Sequence, residues 1–209
     1  MTNKLVDYHF MDRDKVTVGL PGVLYEYIVA NNGVFLHSEN EIFEVMMPIT
    51  VFKPGQKIRG LQTLEPFLKL PSCKSIQGTQ QTSKVPAMLL RRMVTISRRA
   101  LPNEILFHLN LGSLGEWTME TPAQTTSRMH AKPLEDTVYV PIEVHSHNTM
   151  SANFSSMDDA DETGLRIYGV LGRVDQDVAD FRLRVSIYGH RAVLPYELVF
   201  ESTPEVKNG

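Results

Sequence analysis

The sequence predicts an α+β fold, and three observations lead there. Leu89, Met93, Ile96 and Ala100 recur at helical spacing over residues 86–100, with Leu90 and Val94 widening the apolar stripe. Val138, Val140, Ile142 and Val144 alternate with Tyr139, Pro141, Glu143 and His145, the period-two pattern of a strand with one buried face. Strand-like runs flank both features, and a helix packed on an antiparallel or mixed sheet is the α+β class.

The elements follow in chain order. Residues 23–29 are a run of β-branched and aromatic residues, and Asn31-Asn32-Gly33 behind them is a hairpin signal, because Asn-Gly pairs tolerate positive φ. Val34-Phe35-Leu36 returns from that turn, and residues 42–51 supply a third strand. Pro48, Pro54, Pro66 and Pro71 punctuate the remainder, and nothing in this half concentrates catalytic residue types. The polar run over 77–84 then reads as a linker or long surface loop. This gives a β-rich N-terminal domain at 1–78, a linker at 79–84, and a second domain at 85–209 with a short C-terminal tail.

In the second domain, Pro86 suits the first turn of the helix, and Arg91, Arg92, Arg98 and Arg99 lie opposite its apolar stripe, as a solvated face would. Pro102 ends the helix, and residues 104–111 read as a strand. Residues 165–174 and 181–188 read as two more, joined by a hairpin turn at 172–179. Phe181, Leu183, Val185 and Ile187 share one face of the last strand, with Arg182 and Arg184 pointing away from it.

Composition removes several classes of function. Apolar residues make up 42% and charged residues 22% of the 209, which argues against a disordered or fibrous chain. The net charge of −3 lacks the basic excess of a general nucleic-acid binder, so nucleic acid is disfavoured as a partner. No apolar run reaches the ~18–20 residues that cross a bilayer, and the first residues have no signal-peptide core. The single Cys73 cannot form an internal disulfide, which fits a reducing compartment. The expectation is a soluble, cytoplasmic protein.

Chemistry concentrates between Glu143 and Asp158. On a strand, His145 and His147 project from the same face, so two imidazoles at its end can reach one metal ion. Asp158, a short loop later, can supply a third ligand, and Ser155, three residues earlier, faces the same side of a helical turn. Ser155 to Asp158 also matches a plain helix-capping pattern, and a His-x-His pair alone is common on strands. Other His-x-His sites fit less well. Thr149 and Met150 stand where a metallo-β-lactamase-like site needs Asp and His, and no glutamate follows His147 at cupin spacing before Glu162. The chain is also shorter than the roughly 250 residues typical of a (β/α)₈ barrel.

His145-Ser-His147, seven residues, Ser155, two residues and Asp158 resemble the signature of the JAMM (JAB/MPN-type) zinc metalloproteases. That family also carries a glutamate just after its first helix, where Ala100-Leu-Pro102-Asn-Glu104 stands. The resemblance covers roughly residues 85–190. More narrowly, a JAB-type domain behind a β-rich segment is similar to the PRTRC system protein A group of bacterial gene cassettes. Two departures stand out: Asn148 replaces the usual proline after the second histidine, and Ile-Leu-Phe-His follows Glu104 in place of a Cys/Gly-rich strand. RadC-type proteins share the histidine and aspartate spacing but carry Pro-Ser-Gly-Asp where Asn148-Thr-Met-Ser stands.

The resemblance implies a cytidine-deaminase-like mixed sheet flanked by helices, and a site with assigned roles. His145, His147 and Asp158 would hold one Zn²⁺, with water in the fourth position, as in catalytic zinc sites. Glu104 would act as general base and then acid, and Ser155 would donate a hydrogen bond to the oxyanion. Glu143 rivals Glu104 for the base role but reads better as a supporting or surface residue. His108 reads as packed, and His9, His37, His130 and His190 have no usable partner spacing. Trp117 and the acidic run 158–162 are candidates for the cleft wall, an exposed helix start being the simpler account of the acidic run. The function implied is a peptidase or isopeptidase acting on a ubiquitin-like or precursor protein. The alternative is a catalytically silent JAB-like interaction module. Oligomeric state is left open.

Overall fold

The computed structural model describes residues 4–12, 22–74, 80–82, 84–135 and 139–209. Val138, and positions 79 and 83 of the expected linker, lie outside these residues. The chain divides into two compact units, Met1–Pro71 and Ser72–Gly209. The division precedes the polar run, and two short strands, β6 (Ser72–Lys74) before the run and β7 (Gln80–Thr82) within it, pair with each other.

The first unit holds one five-stranded sheet in sequence order: β1 (Val6–Phe10), β2 (Tyr25–Ala30), β3 (Gly33–Glu39), β4 (Glu44–Val51) and β5 (Phe67–Lys69). One face buries Ile28, Ala30, Phe35 and Met46, with Met11, Leu64 and Phe67 packed against them. The β2–β3 hairpin turns at Asn31-Asn32, since Ala30 pairs with Gly33. Its reason differs from the expected one. Among the described residues, only Asn148, Arg173 and Tyr188 are non-glycines with positive φ, so this turn does not use the left-handed region. Gly33 is needed for room, because a Cβ there would lie 2.2 Å from the Thr50 carbonyl oxygen of β4. The asparagine amides reach across instead, Asn31 to the Leu61 carbonyl and Asn32 to both backbone groups of Leu64.

The second unit is a helix on a mixed sheet. Helix α1 (Ala87–Ala100) buries Leu89, Leu90, Met93 and Val94, each contributing about 1.5–3 kcal/mol of transfer free energy if fully covered. The arginine face is not simply solvated. Arg91 donates to Thr203 and Glu205, and Arg98 donates to the carbonyls of Val174 and Gln176. The strands that follow are β8 (Leu106–Leu111), β9 (Trp117–Glu120), the separate hairpin β10 (Gln124–Thr126) and β11 (Ala131–Pro133), and β12 (Ile142–Ser146). A short helix α2 (Ser156–Asp161) precedes β13 (Leu165–Gly172), β14 (Ala179–Ile187), β15 (His190–Leu194) and β16 (Val206–Asn208). The sheet runs β15-β14-β13-β12-β8-β9, with β16 beside β14. No helix among the described residues is long and apolar enough to cross a membrane.

One connection decides where chemistry can occur. β12 is antiparallel to β8 but parallel to β13, and parallel neighbours need a crossover. The crossover occupies residues 147–164 and includes α2, so the chain must leave the end of β12 and return across it. Gly172 lets it lie close, since a Cβ there would meet the Ala152 nitrogen at 2.3 Å. The far face of β14 is covered too. Arg184 is buried and paired with Glu162 at 2.6 Å and Asp159 at 2.8 Å, and Arg182 donates to Asn153, so neither arginine points freely outward.

Candidate metal centre

Strand β12 sorts its side chains as the alternation requires. Ile142 and Val144 are fully buried in the core, while Glu143 and His145 face the other way. His147 follows one step beyond the strand end and keeps the same side, its ring centroid 4.9 Å from that of His145. Nε2 of His145 stands 3.1 Å from Nε2 of His147. The crossover then brings Asp158 back, with Oδ1 at 3.2 Å from His145 Nε2 and Oδ2 at 3.7 Å from His147 Nε2.

Asp158 is aimed by a capping box. Ser155 is the N-cap of α2, and its hydroxyl accepts the Asp158 N–H at 3.2 Å while the Ser155 N–H donates to Asp158 Oδ2 at 2.5 Å. The capping and site readings of this tetrad are therefore one arrangement: the cap orients the carboxylate that meets the histidines. The Ser155 hydroxyl accepts in the cap, which leaves its proton for another partner.

Three groups with lone pairs thus converge on one point, each with side-chain exposure between 11% and 15%. Two imidazole nitrogens facing each other can share only one proton, so the arrangement favours a cation between them. Tetrahedral zinc with ligands at about 2.0–2.1 Å spaces neighbouring donor atoms about 3.3 Å apart. Separations of 3.1, 3.2 and 3.7 Å fit that requirement, and the nitrogen and oxygen donors suit zinc. Among the described residues this is the one group of three that could hold a metal ion.

Electrostatics agree with the geometry. Burial works against the Asp158 charge, but the hydrogen bond and charge of His145, with the Ser155 N–H, hold its carboxyl below the usual range. For His145, burial opposes protonation, yet Asp158, Glu104 and Glu143 raise its affinity for a proton. His147 moves down, through burial and then through neighbouring His145.

Glu104 lies in the turn between α1 and β8, because the strand expected from 104 begins at Leu106. It is 3% exposed, and it shares a cleft of about 260 Å³ with the triad. Burial first, and the Asp158 carboxylate with it, pushes its carboxyl up to about 7, partly offset by His145. A carboxyl poised there can both take and return a proton near neutrality. Its N–H donates to the Ser127 carbonyl at 2.7 Å.

One wall of the cleft escaped the sequence reading. The β10–β11 hairpin contributes Met129, His130, Ala131 and Lys132. His130 is held by the Ser127 hydroxyl at 2.7 Å, so it does have a partner. Gln124 fastens the hairpin by giving Leu106 both an acceptor and a donor, at 2.8 and 3.0 Å, as a neighbouring strand would. Tyr168 and Glu162 also line the cleft. Glu143 lines the cleft with its carboxylate tied to Arg166 at 3.0 Å, which suits support better than proton transfer. His108 is fully buried behind it, 3.5 Å from Glu143. Trp117 is buried on β9 and is not among the residues lining the cleft. Asp161 and Glu162 do line it, as the acidic run allowed.

Residues 86–185 match the family model of prokaryotic homologs of the JAB domain, a span that holds Glu104, both site histidines, Ser155 and Asp158. No curated protein matches the chain.

Proposed function

Residues 86–185 belong to the JAB family, and from that premise we propose that the chain is a zinc-dependent peptidase or isopeptidase. The observation that carries this reading is the convergence of His145, His147 and Asp158 within 3.1–3.7 Å in a cleft that also holds the buried Glu104. A structural zinc site would close with four protein ligands; three ligands beside an acidic side chain suit a catalytic one. The substrate proposed is the C-terminal region of a ubiquitin-like or precursor protein, and the finer affinity proposed is with the PRTRC system protein A group.

Zinc, when bound, would supply a Lewis-acidic centre that polarises a carbonyl and acidifies a water. The chain's own residues do the rest. His145, His147 and Asp158 would hold the metal. The Glu104 carboxylate accepts a proton on one oxygen and returns it to the leaving nitrogen. The Ser155 hydroxyl donates to the scissile carbonyl oxygen as negative charge builds there. Met129 and the rest of the hairpin wall narrow the approach to an extended chain segment.

The test is zinc content per chain, together with cleavage of ubiquitin-like fusions by the wild type and Glu104→Gln. One zinc per chain, with turnover that Glu104→Gln loses, is expected. Equal turnover in both removes Glu104 from the chemistry, and bound zinc with no turnover on any such substrate points to the interaction module.

A further inference from the structure

We propose that Asn148 is a positioning residue whose side-chain amide holds the Glu104 segment and the hairpin wall against the end of the histidine strand. This rests on the reading of Glu104 as the proton carrier. Asn148 directly follows His147, is 7% exposed, and has φ +41. Proline, with φ near −65°, cannot take that conformation, whereas asparagine tolerates it better than most residues.

The amide has two N–H donors and one oxygen, and all three functions are engaged. Nδ2 donates to the Pro102 carbonyl at 3.2 Å and to the Arg128 carbonyl at 2.9 Å, and Oδ1 accepts the Thr149 N–H at 2.7 Å. Pro102 lies two residues before Glu104, and Arg128 follows Ser127, whose carbonyl receives the Glu104 N–H at 2.7 Å. A closed ring of hydrogen bonds therefore runs from Asn148 to Pro102, along the chain to Glu104, across to Ser127, and through Arg128 back to Asn148. On the other side of Glu104, Ile105 is held to Ser146 by its N–H to Oγ at 3.0 Å and its carbonyl at 2.9 Å. Glu104 is thus suspended between two anchors, Ser146 at the end of β12 and Asn148 two residues beyond it.

The Asn148 backbone does not depend on the amide for its own place. Its carbonyl accepts the Val174 N–H at 2.9 Å, and the His147 N–H is bonded to Leu171 at 2.7 Å. The side chain serves the other two segments, and the triad is set without it.

Asn148→Gly separates these roles, because glycine keeps the positive φ and removes only the amide. Native-state hydrogen exchange on the metal-free chain should show the Glu104 N–H exchanging about tenfold faster, as loss of two hydrogen bonds near 1 kcal/mol each allows. The His147 N–H should be unchanged. In the Co²⁺-loaded chain, Asn148→Gly should retain one Co²⁺ and shift the visible bands toward those of Glu104→Gln, and the double variant should match Glu104→Gln alone. Unchanged Glu104 exchange overturns the proposal, as does loss of Co²⁺ from Asn148→Gly, which would make Asn148 part of the ligand frame. A wild type that takes no Co²⁺ defeats the metal reading instead, and the exchange measurement then decides the role of Asn148 by itself.

Discussion

Each unit of the chain buries a cluster of histidines and carboxylates on a sheet, and the two are built to opposite ends. In the first unit, His37 meets Glu26 through Nδ1 and Glu44 through Nε2, both at 3.2 Å. Lys69 pairs with Glu44 at 2.9 Å, and His9 reaches Glu26 at 3.3 Å. Both nitrogens of His37 and both carboxylate oxygens of Glu26 and of Glu44 have a partner, and the groups form a chain. In the second unit, His145, His147 and Asp158 turn their lone pairs toward one another. The same residue types give a paired network in one place and a candidate metal site in the other. Composition does not separate the two; whether donors pair off or converge does.

The contrast breaks most sharply at the ligands. His147→Ala or Asp158→Asn should reduce zinc from one per chain to none, well beyond the about 10–100-fold cost of losing an outer partner. Retention of full zinc by either variant, measured by elemental analysis after dialysis, would mean convergence is not coordination. Next comes Glu104→Gln, expected to cost about 10²–10⁴-fold in kcat with zinc retained. Ser155→Ala should cost about 10²–10³-fold in kcat through the lost carbonyl donor, and about 1 kcal/mol of stability through the lost cap. A stability change without a rate change would reduce Ser155 to its capping role.

The pH profile follows from Glu104, whose carboxyl lies at about 7. Proton acceptance needs the carboxylate, and a bound cation lowers that metal-free value, so kcat/KM should rise with pH along a limb centred below it, and Glu104→Gln should lack this limb. Stability of the metal-free chain moves the other way. The folded value exceeds the reference of 4.5, so the folded state holds an extra proton and its advantage is lost as pH rises through about 7. A melting temperature of the wild type that tracks Glu104→Gln across that window would count against the shift. The smallest effect belongs to the first unit, where His37→Ala should lower unfolding free energy by about 1–3 kcal/mol, leaving zinc content and turnover intact.

The triad was legible because a strand has a period of two and a helix turn a period near four. His145 and His147 could be placed on one face, and Ser155 and Asp158 on one turn, without coordinates. Helix α1 and the strands β8, β12, β13 and β14 were legible for the same reason, whereas β9, β15 and β16 of the same sheet were not. What stayed hidden depends on partners distant in sequence. The β10–β11 hairpin reads Gln-Thr-Thr and Ala-Lys-Pro, with no apolar alternation, because Gln124 fastens it by its side chain rather than by burial. Arg184 looked like a solvent-facing residue until Glu162 from the crossover covered it. The Asn31-Asn32-Gly33 turn was seen, but its cause, the close approach of Thr50, lies on a strand that no local pattern reveals.

The parallel crossover has a kinetic corollary. His145, His147 and Asp158 fall within fourteen consecutive residues, so closing the loop that unites them costs little chain entropy. Glu104 joins from forty-one residues before His145, across the hairpin and two strands. During folding, the segment that would hold the cation can form early and locally, while Glu104 arrives only when the sheet is complete. On the proposed reading, an incompletely folded chain would therefore hold metal before it could hydrolyse anything.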